Sequence, residues 1–289
     1  MDQSVLSRIE GQVGIVTLNK PDRMNAWDTP MRMACKRAIE QLDADPRVRA
    51  IILTGAGDKA FCAGQDLAET QRIKGGSDGE VWFKTWKDFY DCLRKSTKPV
   101  VCALNGVAAG SAYQFAMLCD VRVGHPGVRM GQPEINAGIP SVLGPLLMIE
   151  RLGLSRTIEL TLTGRMMDAA ECKHIGLIHY LVPQKQVMKK AVEIAELLAS
   201  KPPIAMRLNK KRFCQVTQPA FDEAMLSGAP IQREAYASGE PQRAMEAFFA
   251  ERAARKKAPK AAPAKRKASA KAKTAKPKSP KRKTARRGR

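Results

Sequence analysis

Two short stretches of the chain present backbone that can do chemistry. In the first, Ala50-Ile51-Ile52-Leu53-Thr54 reads as a strand. It leads into Lys59-Ala60-Phe61-Cys62-Ala63-Gly64-Gln65-Asp66-Leu67, small residues ahead of a helix that Asp66 would cap. In the second, the apolar run Pro99-Val100-Val101-Cys102-Ala103-Leu104 has the compactness of a buried strand. It breaks at Asn105-Gly106, passes through Ala108-Ala109-Gly110-Ser111-Ala112, and enters a helix-like segment, Tyr113 to Cys119. A strand, a small-residue turn and a helix start let backbone N–H groups point at a ligand with the helix dipole behind them. Two such turns facing each other supply the two convergent donors that a developing oxyanion needs. Taken singly, each also reads as an ordinary β-α turn.

The pair does not stand alone. Ala60-Phe61-Cys62-Ala63-Gly64-Gln65-Asp66-Leu67, then Lys98-Pro99-Val100 with Asn105-Gly106-Val107-Ala108-Ala109-Gly110, then Gly131-Gln132-Pro133-Glu134 resemble the crotonase (enoyl-CoA hydratase/isomerase) family in motif order and spacing. The resemblance runs from about Val5 to about Ala250. It implies an α/β fold, a right-handed ββα spiral core over residues 1–200, followed by a C-terminal helical trimerisation layer over 201–254. No G-x-G-x-x-G or P-loop argues for a nucleotide-binding sheet instead.

The resemblance also assigns roles. The oxyanion hole would be the backbone N–H groups of Gln65 and Ser111, which tolerate side-chain change. Cys62, Ala63, Gly64, Asp66 and Leu67 would line the coenzyme A side beside Gly110, with Arg23 and Ala26 near the nucleotide. The loop Asn19-Lys20-Pro21-Asp22-Arg23-Met24-Asn25-Ala26 reads equally well as a plain turn-rich connection. The family's hydratases use two carboxylates. Here Glu134 of Gln-Pro-Glu stands at one, and Gln114 at the other. An amide cannot shuttle a proton, although it can hold a water or a substrate group. One acid suffices to carry a proton between C2 and C4 of an acyl thioester, which leans the reading toward a double-bond isomerase. The alternative is a hydratase in which Gln114 positions the water. A second departure is Ile139-Pro140-Ser141, where relatives often carry a glycine-rich run; it implies a reshaped pocket floor. Coenzyme A is part of the substrate, so no separate cofactor is expected.

The elements that must position these groups follow a regular order. Val5 to Ile9 and Val13 to Leu18 read as a hairpin, and Asp28 or Thr29 caps a helix striped by Met31, Cys35, Ala38/Ile39 and Leu42. Lys74 to Gly79 reads as a loop, and Trp82, Trp86, Phe89/Tyr90 and Leu93 as the inner stripe of a helix, core or pocket wall. Alternating strand, turn and helix implies a parallel, helix-covered sheet. Beyond Glu134 helices are predicted from Leu143 to Leu152, Ser155 to Thr163, Asp168 onward, about Gln184 to Ala199, Pro203 to Gln215, Phe221 to Tyr236 and Pro241 to Arg252.

Composition bounds the rest. The 289 residues carry a net charge of +22, but seventeen Lys or Arg and no acid lie between Arg255 and Arg289. That segment, Lys, Arg, Ala and Pro almost throughout, cannot build a core and is expected to be disordered. It would bind polyanions such as nucleic acid without reading sequence, or act only as a solubilising tail. A rival of another class is therefore a nucleic-acid-associated scaffold of crotonase fold. Seven scattered cysteines without a C-x-x-C pair fit reduced core thiols in the cytoplasm. His125, His174 and His179 lie apart, and no metal site is expected. No apolar run is long enough to span a membrane, so the partners foreseen are an acyl-CoA substrate and further copies of the chain in a homotrimer or hexamer.

Overall fold

The computed structural model describes residues 3–257. The segment expected to bind nucleic acid lies almost wholly outside them. A hairpin of β1 (Val5–Glu10) and β2 (Val13–Leu18) opens the chain, followed by α1 (Thr29–Ala44) and β3 (Ala50–Gly55). Next come β4 (Ala60–Cys62), α2 (Leu67–Thr70), α3 (Gly76–Arg94), β5 (Val100–Ala103), β6 (Val107–Ala109) and α4 (Ser111–Leu118). After β7 (Val121–Gly124) and β8 (Arg129–Gly131) lie α5 (Leu143–Leu152), α6 (Leu154–Thr163), β9 (Met166–Asp168), α7 (Ala169–His174) and β10 (Tyr180–Leu181). Three helices end the described chain: α8 (Val187–Ala199), α9 (Pro203–Ala237) and α10 (Glu240–Lys257).

From β3 to β8 successive strands alternate between two sheets, which gives the spiral its turns. The larger sheet runs β1-β2-β3-β5-β7-β10, parallel apart from the opening hairpin. The smaller runs β4-β6-β8-β9, its first three strands parallel. β3 is buried along its whole length, which is why it reads as continuous apolar sequence and not as an alternation. One face of the larger sheet packs on α8 through Ile15, Ile52, Val101 and Ile194. The other carries the main core, where Trp27, Phe89 and Phe115 meet, the last two stacked with ring centroids 4.4 Å apart. This is the α/β spiral with a helical C-terminal region that the motifs imply.

Local signals explain most boundaries. Asp28, Asp66 and Asp168 each cap a helix through a side-chain oxygen, accepting from Met31, Ala68 and Glu171 N–H. Four boundaries differ from expectation. Val107–Ala109 pairs as a strand rather than forming part of a turn, because β4 and β8 flank it and supply the partners that local sequence cannot display. Helix α3 starts at Gly76, inside the expected loop, where Gly76 and Gly79 let its first turn lie against Arg233 and Tyr236 of α9. The break foreseen between Gln215 and Phe221 is absent: α9 runs through Pro219 and Pro230 as one helix. Proline removes an N–H there, and tertiary contacts hold the helix on: Arg94 from α3 bonds Gln218 and stacks 3.7 Å over Phe221. Finally, α10 runs three residues into the expected tail, since Ala253 to Lys257 are strong helix formers and proline comes only at 259.

Candidate active site

Strands β4, β6 and β8 lie side by side and parallel, so the residues that follow them emerge along one edge. This brings together three stretches far apart in sequence: Ala63 to Gln65, Gly110-Ser111, and Gln132 to Glu134. The junction is tight. Gly110 donates its N–H to the carbonyl of Gly131 at 2.9 Å. Gly64 has φ +93°, and a Cβ there would sit 2.6 Å from the carbonyl oxygen of Ala109, so only glycine lets the first turn touch the second.

Gln65 and Ser111, the residues whose backbone N–H groups are of interest, both line the cavity at this edge. Ser111 is the first residue of α4, so its N–H has no acceptor within the helix. Gln65 sits in a single parallel bridge with Trp27, in which Trp27 N–H bonds Gly64 O at 3.0 Å and Asp66 N–H bonds Trp27 O at 2.9 Å. That pattern engages the residues either side of Gln65 and turns its own N–H away from Trp27. The Gln65 side chain is held aside, its amide donating to Glu69 Oε2 at 2.5 Å, and Glu69 in turn accepts from Thr29 N–H.

Glu134 lines the same cavity. It is packed so closely on Gly110 that a Cβ at that glycine would come within 2.9 Å of Oε1. Oε1 accepts from the Gln114 amide at 3.3 Å, and Gln114 Oε1 accepts from the buried Tyr90 hydroxyl at 2.5 Å. Oε2 is buried and has no partner among the described residues. Burial of the carboxyl pushes its pKa up to about 8.

These groups line a cavity of about 370 Å³. Ala63, Gln65 and Leu67 form one side. An aromatic wall of Trp82, Phe83, Trp86 and Tyr90 from α3 forms another, with the two indoles edge-to-face at 5.7 Å. Ile139, Pro140 and Ser141, the stretch expected to reshape the floor, line it too, and Gln232 of α9 and Phe248 of α10 complete it.

Of the residues singled out from sequence, Glu134, Gln114, Gln65, Ser111, Gly110, Ala63 and Leu67 meet at this cavity. The other five do not line it. Cys62 is fully buried with its thiol accepting from Gly64 N–H at 3.3 Å, so it shapes the turn from beneath and offers a ligand no surface. Gly64 acts through its conformation. The Asp66 carboxylate caps α2 and pairs with Arg23 at 3.1 Å. Arg23 and Ala26 belong to the segment that runs beside the first turn, where Met24 O accepts from Ala63 N–H. The histidines lie elsewhere; His179 accepts from Arg122 N–H, and burial beside that guanidinium lowers its pKa to about 4. Among the described residues no group of His, Cys, Asp or Glu is placed to hold a metal.

Four site residues escaped the motifs. Tyr90 belongs to the stripe that reads as core or pocket wall and it does line the cavity, but only its hydroxyl hints at a role beyond that. Gln232 and Phe248 belong to distant helices and carry no local signal. Trp27, an indole in an otherwise polar loop, was the one visible clue to the support of the turns.

Comparison with known proteins accords with this geometry. A family model described as enoyl-CoA hydratase/isomerase matches residues 8–258. The short-chain-enoyl-CoA hydratase of Clostridium acetobutylicum is 32% identical over 253 residues, covering 86% of this chain and 95% of that protein. The crotonyl-CoA hydratase of Syntrophomonas wolfei is 30% identical, covering 87% and 97%. Among solved structures, an enoyl-CoA hydratase/isomerase from Pseudoalteromonas atlantica superposes with a TM-score of 0.76 at 26% identity, covering 86% and 97%.

Proposed function

The chain belongs to the enoyl-CoA hydratase/isomerase family of enzymes, and on that premise we propose that it moves the double bond of an enoyl-CoA thioester with Glu134 as its single acid and base. The observation that carries this reading is the unpartnered Oε2 of Glu134, which shares a cavity with the two free backbone donors while a neutral amide occupies the neighbouring position. The thioester carbonyl oxygen would lie between the N–H groups of Gln65 and Ser111. As Oε2 removes a proton from C2 of a 3-enoyl thioester, negative charge moves to that oxygen and is met by preorganised donors. The dienolate then recovers the same proton at C4, leaving the double bond between C2 and C3. Cys62, Gly64 and Asp66 would serve by shaping the first turn, and Arg23 and Ala26 by flanking the nucleotide, so coenzyme A enters only as part of the substrate.

A second reading is favoured by the relatives, several of which are named hydratases. In it Gln114 holds a water for addition at C3 while Glu134 delivers a proton to C2. Supplying the purified protein separately with a 3-enoyl-CoA and a 2-enoyl-CoA, and following double-bond position and water uptake, decides between them. A shift without hydration supports the first reading; hydration supports the second; silence on both overturns the pair.

Assembly into trimers, alone or paired as hexamers, follows from the same premise. Leu154, Ile158 and Leu162 form an exposed apolar row along α6, and Ile204, Leu208, Phe213 and Val216 are exposed on α9. Such faces support association with further copies. No described helix is long and apolar enough to cross a membrane, and a cytoplasmic setting with reduced thiols suits the chemistry.

A further inference from the structure

We propose that Tyr90 is a positioning residue for the acid/base step: its hydroxyl fixes the orientation of the Gln114 amide, so that the amide N–H supports Glu134 Oε1 and the transferred proton travels on Oε2. The inference rests on the reading of Glu134 given above.

A primary amide has nearly the same shape in either of two orientations, with opposite polarity. The orientation is set by the partner with the least freedom. Tyr90 is 1% exposed, and desolvation raises its pKa well above the ordinary phenol value, so it stays protonated and has one hydrogen to give. It gives it to Gln114 Oε1 at 2.5 Å. The amide NH2 is thereby turned to Glu134 Oε1, 3.3 Å away. The opposite orientation would set an amide oxygen against a carboxyl oxygen, which repels as soon as Glu134 ionises. With Oε1 committed to the amide, Oε2 is the oxygen left without a partner.

The support extends one layer back. Arg32 is fully buried on α1, its guanidinium 4.0 Å from the Trp86 ring, and its charge favours the polarised Tyr90 hydroxyl. Among the described residues no other charged group shifts the carboxyl. Tyr90 from α3 and Tyr113 from α4 are the titratable groups that feel Glu134, while α9 and α10 present the uncharged Gln232 and Phe248. A neutral amide can therefore do part of what a cation or a second acid would do. It stabilises the carboxylate without offering a rival proton, provided its N–H end stays turned toward Glu134.

The test follows the protonated carboxyl band of the full chain by infrared titration, assigned by its loss in Glu134→Gln. It needs no substrate, so it judges the inference even if turnover of both enoyl-CoAs fails and the functional reading falls. In Tyr90→Phe the amide is released, and ionisation of Glu134 should weaken about tenfold, the scale of one hydrogen bond to a buried carboxylate. The same substitution made in a Gln114→Leu background should shift nothing further, because the link is already cut. With a 3-enoyl-CoA near neutral pH, where the carboxylate is the active form, Tyr90→Phe should lower kcat by about the same factor with KM little changed. An unmoved titration in Tyr90→Phe, or an equal shift in the Gln114→Leu background, overturns the proposal. If Tyr90→Phe does not fold, 3,5-difluorotyrosine at position 90 keeps the ring shape and strengthens the donor. Glu134 must then ionise at lower pH, and an unchanged or higher titration overturns the proposal.

Discussion

The indole N–H of Trp27 donates to the Ser111 hydroxyl at 3.0 Å, across 84 residues of sequence. The backbone of the same tryptophan grips the other turn, bonding Gly64 O and Asp66 N–H. One buried residue thus ties both small-residue turns together. Its ring is fixed in turn by edge-to-face contacts with Phe89 and Phe115, at 5.2 and 5.5 Å.

Trp27→Phe keeps an aromatic ring in that packing and removes the indole donor. The Ser111 hydroxyl is then left unpaired and the start of α4 loses its tie to the first turn. A buried neutral hydrogen bond is worth about 1 kcal/mol, so kcat should fall roughly fivefold to tenfold with little change in KM. Steady-state kinetics on the best enoyl-CoA checks this. An unchanged kcat would mean that the turns hold their spacing without Trp27.

Glu134→Gln should abolish turnover, by at least about a thousandfold, while acyl-CoA binding survives, because a side chain of the same shape can no longer accept or give a proton. Calorimetric binding of a saturated acyl-CoA beside the assay separates the two effects. Retained turnover would remove Glu134 from the mechanism.

The same substitution carries a stability signature. The folded chain holds the Glu134 proton up to about pH 8, against an ordinary value of 4.5 when unfolded. Between those values the native state binds more protons than the unfolded one, so stability falls as pH rises through the window and levels off above about 8. Fully expressed, the loss is roughly 3–5 kcal/mol. Glu134→Gln has no such titration. Its melting temperature should match the wild type near pH 4.5 and exceed it by several degrees at pH 9. A difference that does not vary with pH would show that burial does not perturb this carboxyl.

How much of this was legible beforehand depended on whether a residue acts through its neighbours in the chain. The turns at Gly64 and Gly110 and the caps at Asp28, Asp66 and Asp168 were readable because backbone geometry there is set by residues a few positions away. Glu134 and Gln114 were readable as a pair only through the motif resemblance. Cys62 belongs to the same motif yet lies beneath the turn, because a three-residue strand sends alternate side chains to opposite faces. What stayed hidden was long-range: the Trp27 indole reaching Ser111, the Tyr90 hydroxyl reaching Gln114, and α10 laying Phe248 over the cavity. The unbroken α9 was hidden for the same reason, since helix α3 supports its proline and sequence displays only the proline.

Gln114→Glu would place a second titratable carboxyl 3.3 Å from Glu134 Oε1, where the amide nitrogen now sits. Two such groups at that distance cannot both ionise, so the pair should share a proton over a wide pH range. Water addition needs one group to take a proton from water while another gives one to C2. The variant should therefore gain hydration of a 2-enoyl-CoA relative to isomerisation, by about tenfold or more in the ratio of rates. Product analysis by mass measures that ratio directly. An unchanged ratio would mean that Tyr90 holds residue 114 out of reach of the water, and that reaction choice lies in how the acyl chain is seated.

The pH dependence of kcat/KM discriminates the two functional readings without any mutation, because they start from opposite protonation states of one carboxyl. Isomerisation begins by removing a proton from C2, so the active form is the carboxylate, and the rate should rise tenfold per pH unit up to about pH 8 and then level. Hydration with Gln114 holding the water begins with Glu134 protonated. Oε2 gives its proton to C2 and the carboxyl regains one from the attacking water. That rate should be flat at neutral pH and fall above about pH 8. The phosphate monoester of coenzyme A loses its last proton at about pH 6 and the histidines lie outside the cavity, so a slope between about pH 7 and 9 belongs to the site. Profiles measured with a 3-enoyl-CoA and with a 2-enoyl-CoA should have opposite slopes if the protein does both reactions on the same residue. Two profiles of the same sign would mean that one protonation state of Glu134 serves both, and that the single-residue assignment of acid and base must be redrawn.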